Sequence, residues 1–482
     1  MEVIKSYLSF IDKGLLDLLK GNMALLVREI RAETVQNDEQ AKALFDFKSQ
    51  RNYDKLKKNT QKVLESLVLM GNYGQSEVQK AYHNCQKGRA ASLILIHKGM
   101  REAGISRARA VLAIAEKYEL TYVAYELAMV LSKHYSIIQN ARLYKKYAKV
   151  CDRHLTILNA RAVAEHCFAQ VTLLVSKTTG YTNAVLRKLD GFIEKVVEVE
   201  HTDDARIQYF IKTIRVVRSL AHQEYEEVVN TCNEAIAYYD NKRPFASYLV
   251  GFNLYRGLAL TALKDFPLAD VSLKKAQSLL SNNPANWHIV MVYRTILAFH
   301  SGQYQDAYIF YKQAMKKNVP EFLKERWRLI GSYIYLLSKS GAIYTGRAKF
   351  GIGKFLNETT VSATDKQGLN INILISVLMI LLQQKRYGEF IDRMEQLQNY
   401  RYRYTRDKAT ARARLFLQMI GTIAKADFHK RTIEYETSAL LKKLRRMPVY
   451  ASHNWEIELV PFETLWEVVM GMLDRRRRAL AV

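Results

Sequence analysis

The sequence predicts an all-α fold: an α-solenoid of stacked antiparallel helix pairs, in units of about 40 residues, with helical N- and C-terminal caps. Three observations point there. Helix breakers are few, with 6 prolines and 21 glycines in 482 residues, so little of the chain is barred from helix. Apolar residues return at helical spacing along most of the chain. A polar or glycine-containing turn, usually followed by an aromatic, also recurs at nearly constant intervals, which marks a repeated supersecondary unit.

Residues 1–75 do not join that period. "SYLSFIDKGLLDLLKGNMALLVREIRAE" and "YDKLKKNTQKVLESLVLMGNYG" each carry apolar residues at i, i+3, i+4 and i+7, with Asp38 or Asn37 as a helix start between them. They read as an N-terminal helical cap region, and no three-helix DNA-binding turn pattern stands out in it.

Residues 76–400 form the repeat array. "AHQEYEEVVNTCNEAIAYY", "ALKDFPLADVSLKKAQSLL" and "HSGQYQDAYIFYKQAMKKN" share one grammar: a turn, an aromatic, then apolar or small residues at helical spacing. The markers Tyr135, Tyr181, Tyr225, Phe266, Tyr304, Tyr344 and Tyr387 are separated by 46, 44, 41, 38, 40 and 43 residues. Each interval holds two helices of four to five turns and a short connection. One such pair cannot close a core alone, so its neighbours must supply the rest.

These residues resemble the tetratricopeptide repeat (TPR) family over roughly residues 225–320. The family's positions look like Gly257 and Leu260 in a first helix, Phe266 at the turn, then Ala269, Leu273 and Ala276, with Pro284 after them. The next unit repeats Gly302, Tyr304, Ala307, Tyr311, Ala314 and Pro320. Small residues such as Ala269 and Ala307 suit close helix crossings, and the aromatic wedges into the hairpin. Units of 38 to 46 residues exceed the family's usual 34, Tyr344 is followed by Gly346 and Ala348, and the unit around Arg101 has no aromatic. The resemblance implies a non-catalytic scaffold or adaptor that holds a protein or peptide partner on a helical-repeat surface.

Residues 401–482 form a basic C-terminal helical region. Pro461 opens a helix with an apolar stripe of Leu465, Val468, Val469 and Met472, which runs into Arg475–Arg478, cations that suit a helix C-terminus. Between Arg401 and Arg446 stand thirteen Lys and Arg against four acids, about a third of the chain's net charge of +26. With Tyr400, Tyr402 and Tyr404 beside them, these residues raise the alternative of a nucleic-acid-binding or regulatory surface. At 100° per residue, Arg412 falls on the apolar face of Leu415, Phe416, Met419, Ile420 and Ile423. It therefore needs a carboxylate or helix C-terminal carbonyls and reads as a structural latch. Arg403, Arg406 and Arg414 fall on the opposite side and, with Arg401, are the candidate anion or nucleic-acid contacts. Asp407 is the expected N-cap of the helix that carries Arg412.

Chemistry of other kinds finds little foothold. "KFGIGKF" offers Gly351, Gly353 and Lys354, but Ala348 and Phe355 stand where a phosphate-cradling loop needs Gly and Ser or Thr. Cys151 with His154, and His166 with Cys167 one short helix later, are the sole His/Cys clustering, and they suit core and helix-edge roles better than a metal. The acid pairs Asp203–Asp204 and Glu226–Glu227 sit at turns or first helical turns, where the helix dipole favours them. No enzyme, cofactor or metal is expected.

The four cysteines, Cys85, Cys151, Cys167 and Cys232, lack paired spacing and suit free thiols in a cytoplasmic protein. The start, "MEVIKSYLSF", carries no secretory signal pattern. The most apolar run, Ile371–Leu382, has 12 residues, short of the roughly 20 that span a bilayer, so a buried helix and no membrane insertion are expected.

Overall fold

The computed structural model describes residues 1–482 apart from 46–48, 72–73, 75, 178–180, 243–244, 281–283, 347–349, 359–368, 395–410, 450–457, 481–482 and the side chains of 357–358, 369–370 and 474–480. Among the described residues the fold is all-helical, without a strand. The helices are α1 (Glu2–Leu8), α2 (Lys13–Leu16), α3 (Gly21–Arg31), α4 (Asp38–Leu44), α5 (Gln50–Met70), α6 (Glu77–His97), α7 (Arg101–Lys117) and α8 (Thr121–Ile137). There follow α9 (Ala141–Lys177), α10 (Asn183–Val197), α11 (Ala205–His222), α12 (Tyr225–Asp240), α13 (Tyr248–Ala262), α14 (Phe266–Ser278), α15 (Pro284–His300) and α16 (Tyr304–Met315). The last are α17 (Lys324–Ser340), α18 (Ile352–Glu358), α19 (Leu369–Gln383), α20 (387–394), α21 (Ala411–Lys425), α22 (Lys430–Arg446) and α23 (Phe462–Leu480). Neighbours in sequence are neighbours in space, as in an α-solenoid. Two compact units result, Met1–Thr156 and Ile157–Val482, divided within α9.

In the first unit, α1, α3 and α5 enclose Ile4, Leu26, Tyr53 and Leu64. Asn37 is the N-cap of α4, accepting from the Gln40 N–H at 2.9 Å. Asp38 is thereby left to accept from the Tyr53 hydroxyl at 2.5 Å and from Lys57 at 3.0 Å. A second core gathers Ala108, Leu112, Leu127 and Leu131 of α7 and α8. The α6–α7 pair, which has no aromatic marker, closes on Gly104: a Cβ there would lie 2.9 Å from the Ser92 carbonyl oxygen and 2.6 Å from Ile96. Tyr135 does not open a helix; it ends α8 and stacks on Tyr147 with centroids 5.5 Å apart.

In the second unit one turn recurs. Gln223, Lys264 and Lys385 adopt left-handed φ of 65°, 64° and 59°. The following N–H then reaches back five residues, Glu224 to Ser219, Asp265 to Leu260 and Arg386 to Leu381, each at 2.9 Å. This satisfies carbonyls that a helix end leaves open. Two residues after each left-handed position the aromatic marker begins the next helix, as Tyr225, Phe266 and Tyr387, and Tyr304 stands likewise after Gly302. The interval of about forty residues is the spacing of these turns. Tyr344 breaks the pattern: it lies outside any helix and is 82% exposed. Within the α13–α14 pair, a Cβ on Gly257 would meet Leu273 at 2.6 Å, so the crossing is close. Ala269, Ala276, Ala307 and Ala314 are fully buried.

The run Ile371–Leu382 lies in α19, and Ile373–Leu382 are buried. No helix among the described residues is long and apolar enough to cross a membrane. The final helix, α23, departs from neighbour order and returns to α17, α19 and α21 as well as α22. Its side reaches the repeat turns, with Thr464 Oγ1 3.3 Å from the Tyr304 hydroxyl.

Candidate interaction surface

Arg412 organises this end of the chain. It is 2% exposed, on the apolar side of α21 with Phe416, Met419, Ile420 and Ile423. The guanidinium has five N–H donors, and each finds an acceptor. Nη1 donates to the Leu444 and Met447 carbonyls at 2.6 and 2.9 Å, the C-terminal end of α22. Nε and Nη2 grip the Glu458 carboxylate, the latter at 3.2 Å, and Nη2 also donates to Glu463 at 2.7 Å. The latch thus finds both kinds of partner, a carboxylate and helix C-terminal carbonyls.

Glu458 in turn caps α23, since its Oε2 accepts the Phe462 N–H at 3.1 Å. Its carbonyl accepts from His300 Nε2–H at 2.5 Å, which ties the end of α15 to the same node. Burial pushes the Glu458 carboxyl above its ordinary value, against the pull of Arg412. Burial opposes the charge on Arg412 as well, but the two carboxylates raise its pKa and hold it protonated. Burial likewise pushes His300 down to about 4, with the Arg412 and Lys264 charges assisting and the Glu458 carbonyl and Glu463 opposing. One side chain therefore joins α21, the C-terminus of α22 and the N-terminus of α23.

Between the two helices so joined runs a groove of about 790 Å³. The half-buried Leu441 and Met470, with the almost wholly buried Trp466 beneath them, give it an apolar floor, and Thr437 and Ser438 form part of the α22 wall. Lys430, Lys442, Arg445 and Arg446 bring four cations to it against the two acids Glu434 and Glu467. Arg445 lies 3.8 Å from Glu467 and Lys430 lies 3.7 Å from Glu434, and all four of these residues are at least partly exposed. Such surface pairs are weak and are readily exchanged for another carboxylate. Across α23 lies a second cavity of about 470 Å³, lined by Tyr304, Leu337, Leu382, Val468 and Met472, and Gly471 lines both. A third cleft, about 950 Å³, is walled by Asp190, Arg215, Arg218 and Glu224. Both of its arginines are paired, Arg218 with Asp190 at 2.9 Å and Arg215 with Glu200 at 2.6 Å.

Of the anion contacts expected from sequence, Arg401, Arg403 and Arg406 lie outside the described residues, as do Lys408, Asp407 and the three tyrosines. Arg414 is exposed on α21. The side chains of Arg475–Arg478 are likewise outside. Asp204 is the N-cap of α11, accepting from the N–H groups of Arg206 and Ile207 at 3.0 Å and from Arg161 at 2.5 Å. Asp203 accepts from the Tyr238 hydroxyl at 2.6 Å, and Glu226 and Glu227 occupy the first turn of α12.

The break expected between His154 and His166 is absent, because both lie on the continuous, 37-residue α9. His154 and Cys151 belong to the first unit, His166 and Cys167 to the second. Among the described residues no three His, Cys, Asp or Glu side chains converge as metal ligands. The four cysteines are free thiols, and burial pushes Cys232 up to about 12.

Sequence reasoning asked for a carboxylate beside Arg412 but did not find Glu458. A signal was present: "EIELVPFE" places an acid three residues before Pro461, where it can fold back on a helix start. Leu441, Trp466 and Met470 were missed as a groove because their spacing suits an ordinary core stripe.

No protein-family model matches the chain. No curated protein matches it in sequence either.

Proposed function

We propose that the chain is a non-catalytic, TPR-like scaffold or adaptor of the cytoplasm, which holds a protein or peptide partner on its helical surface. The observation that carries this reading is the α22–α23 groove, a surface cleft about 790 Å³ in volume with an apolar floor and a charged rim. Peptide segments are bound in clefts of this kind, where apolar anchors supply affinity and rim charges set orientation. The repeated helix pairs serve as the rigid support on which such a surface is displayed.

The test is affinity capture with the full chain from extracts of its source cells, with and without nuclease, read by mass spectrometry. A discrete protein retained after nuclease treatment is the expected result. Capture that disappears with nuclease would replace the scaffold reading by a nucleic-acid one, and capture of nothing above background would overturn it.

A further inference from the structure

We infer that the α22–α23 groove takes an acidic amphipathic helix, laid along α22 with its apolar side down and its carboxylates against the basic rim. The inference rests on the scaffold reading and names the class of partner for one site.

The shape of the α22 wall comes first. Its lining positions Lys430, Glu434, Thr437, Ser438, Leu441, Lys442 and Arg445 follow the i, i+4, i+7, i+8, i+11, i+12, i+15 pattern of one continuous helix face. They span the length of α22, roughly 22 Å at 1.5 Å per residue, which matches about four turns of a docked helix. A helix lying there would present anchors at i, i+3, i+4 and i+7 to Leu441, Trp466 and Met470. Room for its backbone is open at Gly471, where an added Cβ meets nothing within 4 Å.

Charge selects the partner's sign. Two of the four cations, Arg445 and Arg446, lie in the last turn of α22, and Lys442 stands just before it. Cations in that position commonly serve the helix's own exposed carbonyls. Here Arg412 already donates to the Leu444 and Met447 carbonyls from the buried side. Arg412 thus takes over part of this capping from the buried side, and the exposed Lys442, Arg445 and Arg446 line the groove. An acidic helix with its carboxylates beside Lys442, Arg445 and Arg446 complements it, whereas a basic one would be repelled.

The experiment uses the full chain and a fluorescein-labelled synthetic helical peptide, with Leu and Phe at the anchor positions and Glu on its remaining faces. Three control probes are the same anchors with Lys for Glu, the same Glu with Ala for the anchors, and single-stranded oligothymidine. Anisotropy titration should show binding of the acidic amphipathic peptide, at least tenfold tighter than any control. The K442E/R445E/R446E variant, whose melting by circular dichroism should match the wild type, should lose at least tenfold in affinity for it.

Equal binding of the lysine peptide, of the anchor-free acid or of oligothymidine overturns the inference, as does no binding of the acidic peptide. If the triple variant melts early, K442Q/R445Q/R446Q replaces it, and undiminished affinity in that variant also overturns the inference. A protein captured equally by wild type and by the charge variant would leave the scaffold reading standing while this inference fails.

Discussion

Arg412 on α21 and Glu458 ahead of α23 form a buried pair in which the carboxylate takes two guanidinium N–H groups, although 46 residues separate them in sequence. Glu463 and two α22 carbonyls take the remaining donors. Breaking such a pair on one side strands a buried charge. Arg412→Ala and Glu458→Ala are each expected to lose about 3–5 kcal/mol in urea unfolding. Arg412→Lys should also lose stability, because an ammonium cannot reproduce the planar fork. Gln418→Ala, exposed on the same helix, should stay within about 0.5 kcal/mol of wild type. An unchanged midpoint for Arg412→Ala would remove its role as latch.

His300 makes the same node sensitive to pH. Its pKa is pushed down to about 4 in the folded chain, from an ordinary 6.5. Between those values the unfolded chain binds more protons, so this histidine's contribution is present above pH 6.5 and is lost as pH falls toward 4. The slope is at most about 1.4 kcal/mol per pH unit. The groups facing it are Arg412, Lys264, Glu463 and the Glu458 carbonyl. Glu458, whose own pKa is raised, titrates in the opposing sense, so the comparison is between variants. His300→Gln should show a shallower fall in stability than wild type from pH 6.5 to 4.5, and equal slopes would exclude this assignment.

Helix approach in the first unit turns on Gly104. Gly104→Ala places a methyl 2.9 Å from a backbone oxygen, which cannot rotate away. Overpacking of this kind costs about 1–3 kcal/mol. Gly251→Ala, with nothing within 4 Å, should instead gain up to about 1 kcal/mol from helix propensity. Thermal unfolding of the two variants should move in opposite directions.

Asp204 does two tasks at one helix start, capping α11 and pairing with Arg161, and it is 2% exposed. Asp204→Ala is expected to cost about 3–5 kcal/mol, with Asp204→Asn recovering the capping part of about 1 kcal/mol. Denaturant unfolding checks both. Equal stability of the two variants would place the whole effect in the ion pair.

The helix pairs could be read from sequence because their turns leave a local trace. A left-handed residue and an aromatic two positions later recur at Gln223 and Tyr225, Lys264 and Phe266, and Lys385 and Tyr387. The direction of Arg412 was readable for a similar reason, since 100° per residue is fixed by the helix itself. Its partner was not, because Glu458 arrives through a long connection that no local pattern encodes. The length of α9 was also hidden: no proline or glycine separates His154 from His166, yet paired helices elsewhere suggested a turn there. The groove was hidden because Trp466 and Leu441 have the spacing of core residues. Only the return of α23 onto α17 and α19 shows which of their sides remains open.

The most direct test of the scaffold reading is site-specific photo-crosslinking in source cells, with benzoylphenylalanine placed singly at Ser438 in the groove wall and at the exposed Glu436, which points about 200° away from it on the same helix. With one partner seated in the groove, position 438 gives an adduct of one discrete added mass and position 436 gives none of that mass. Equal adducts at both positions, or none at 438 in a chain that melts normally, would contradict the scaffold reading.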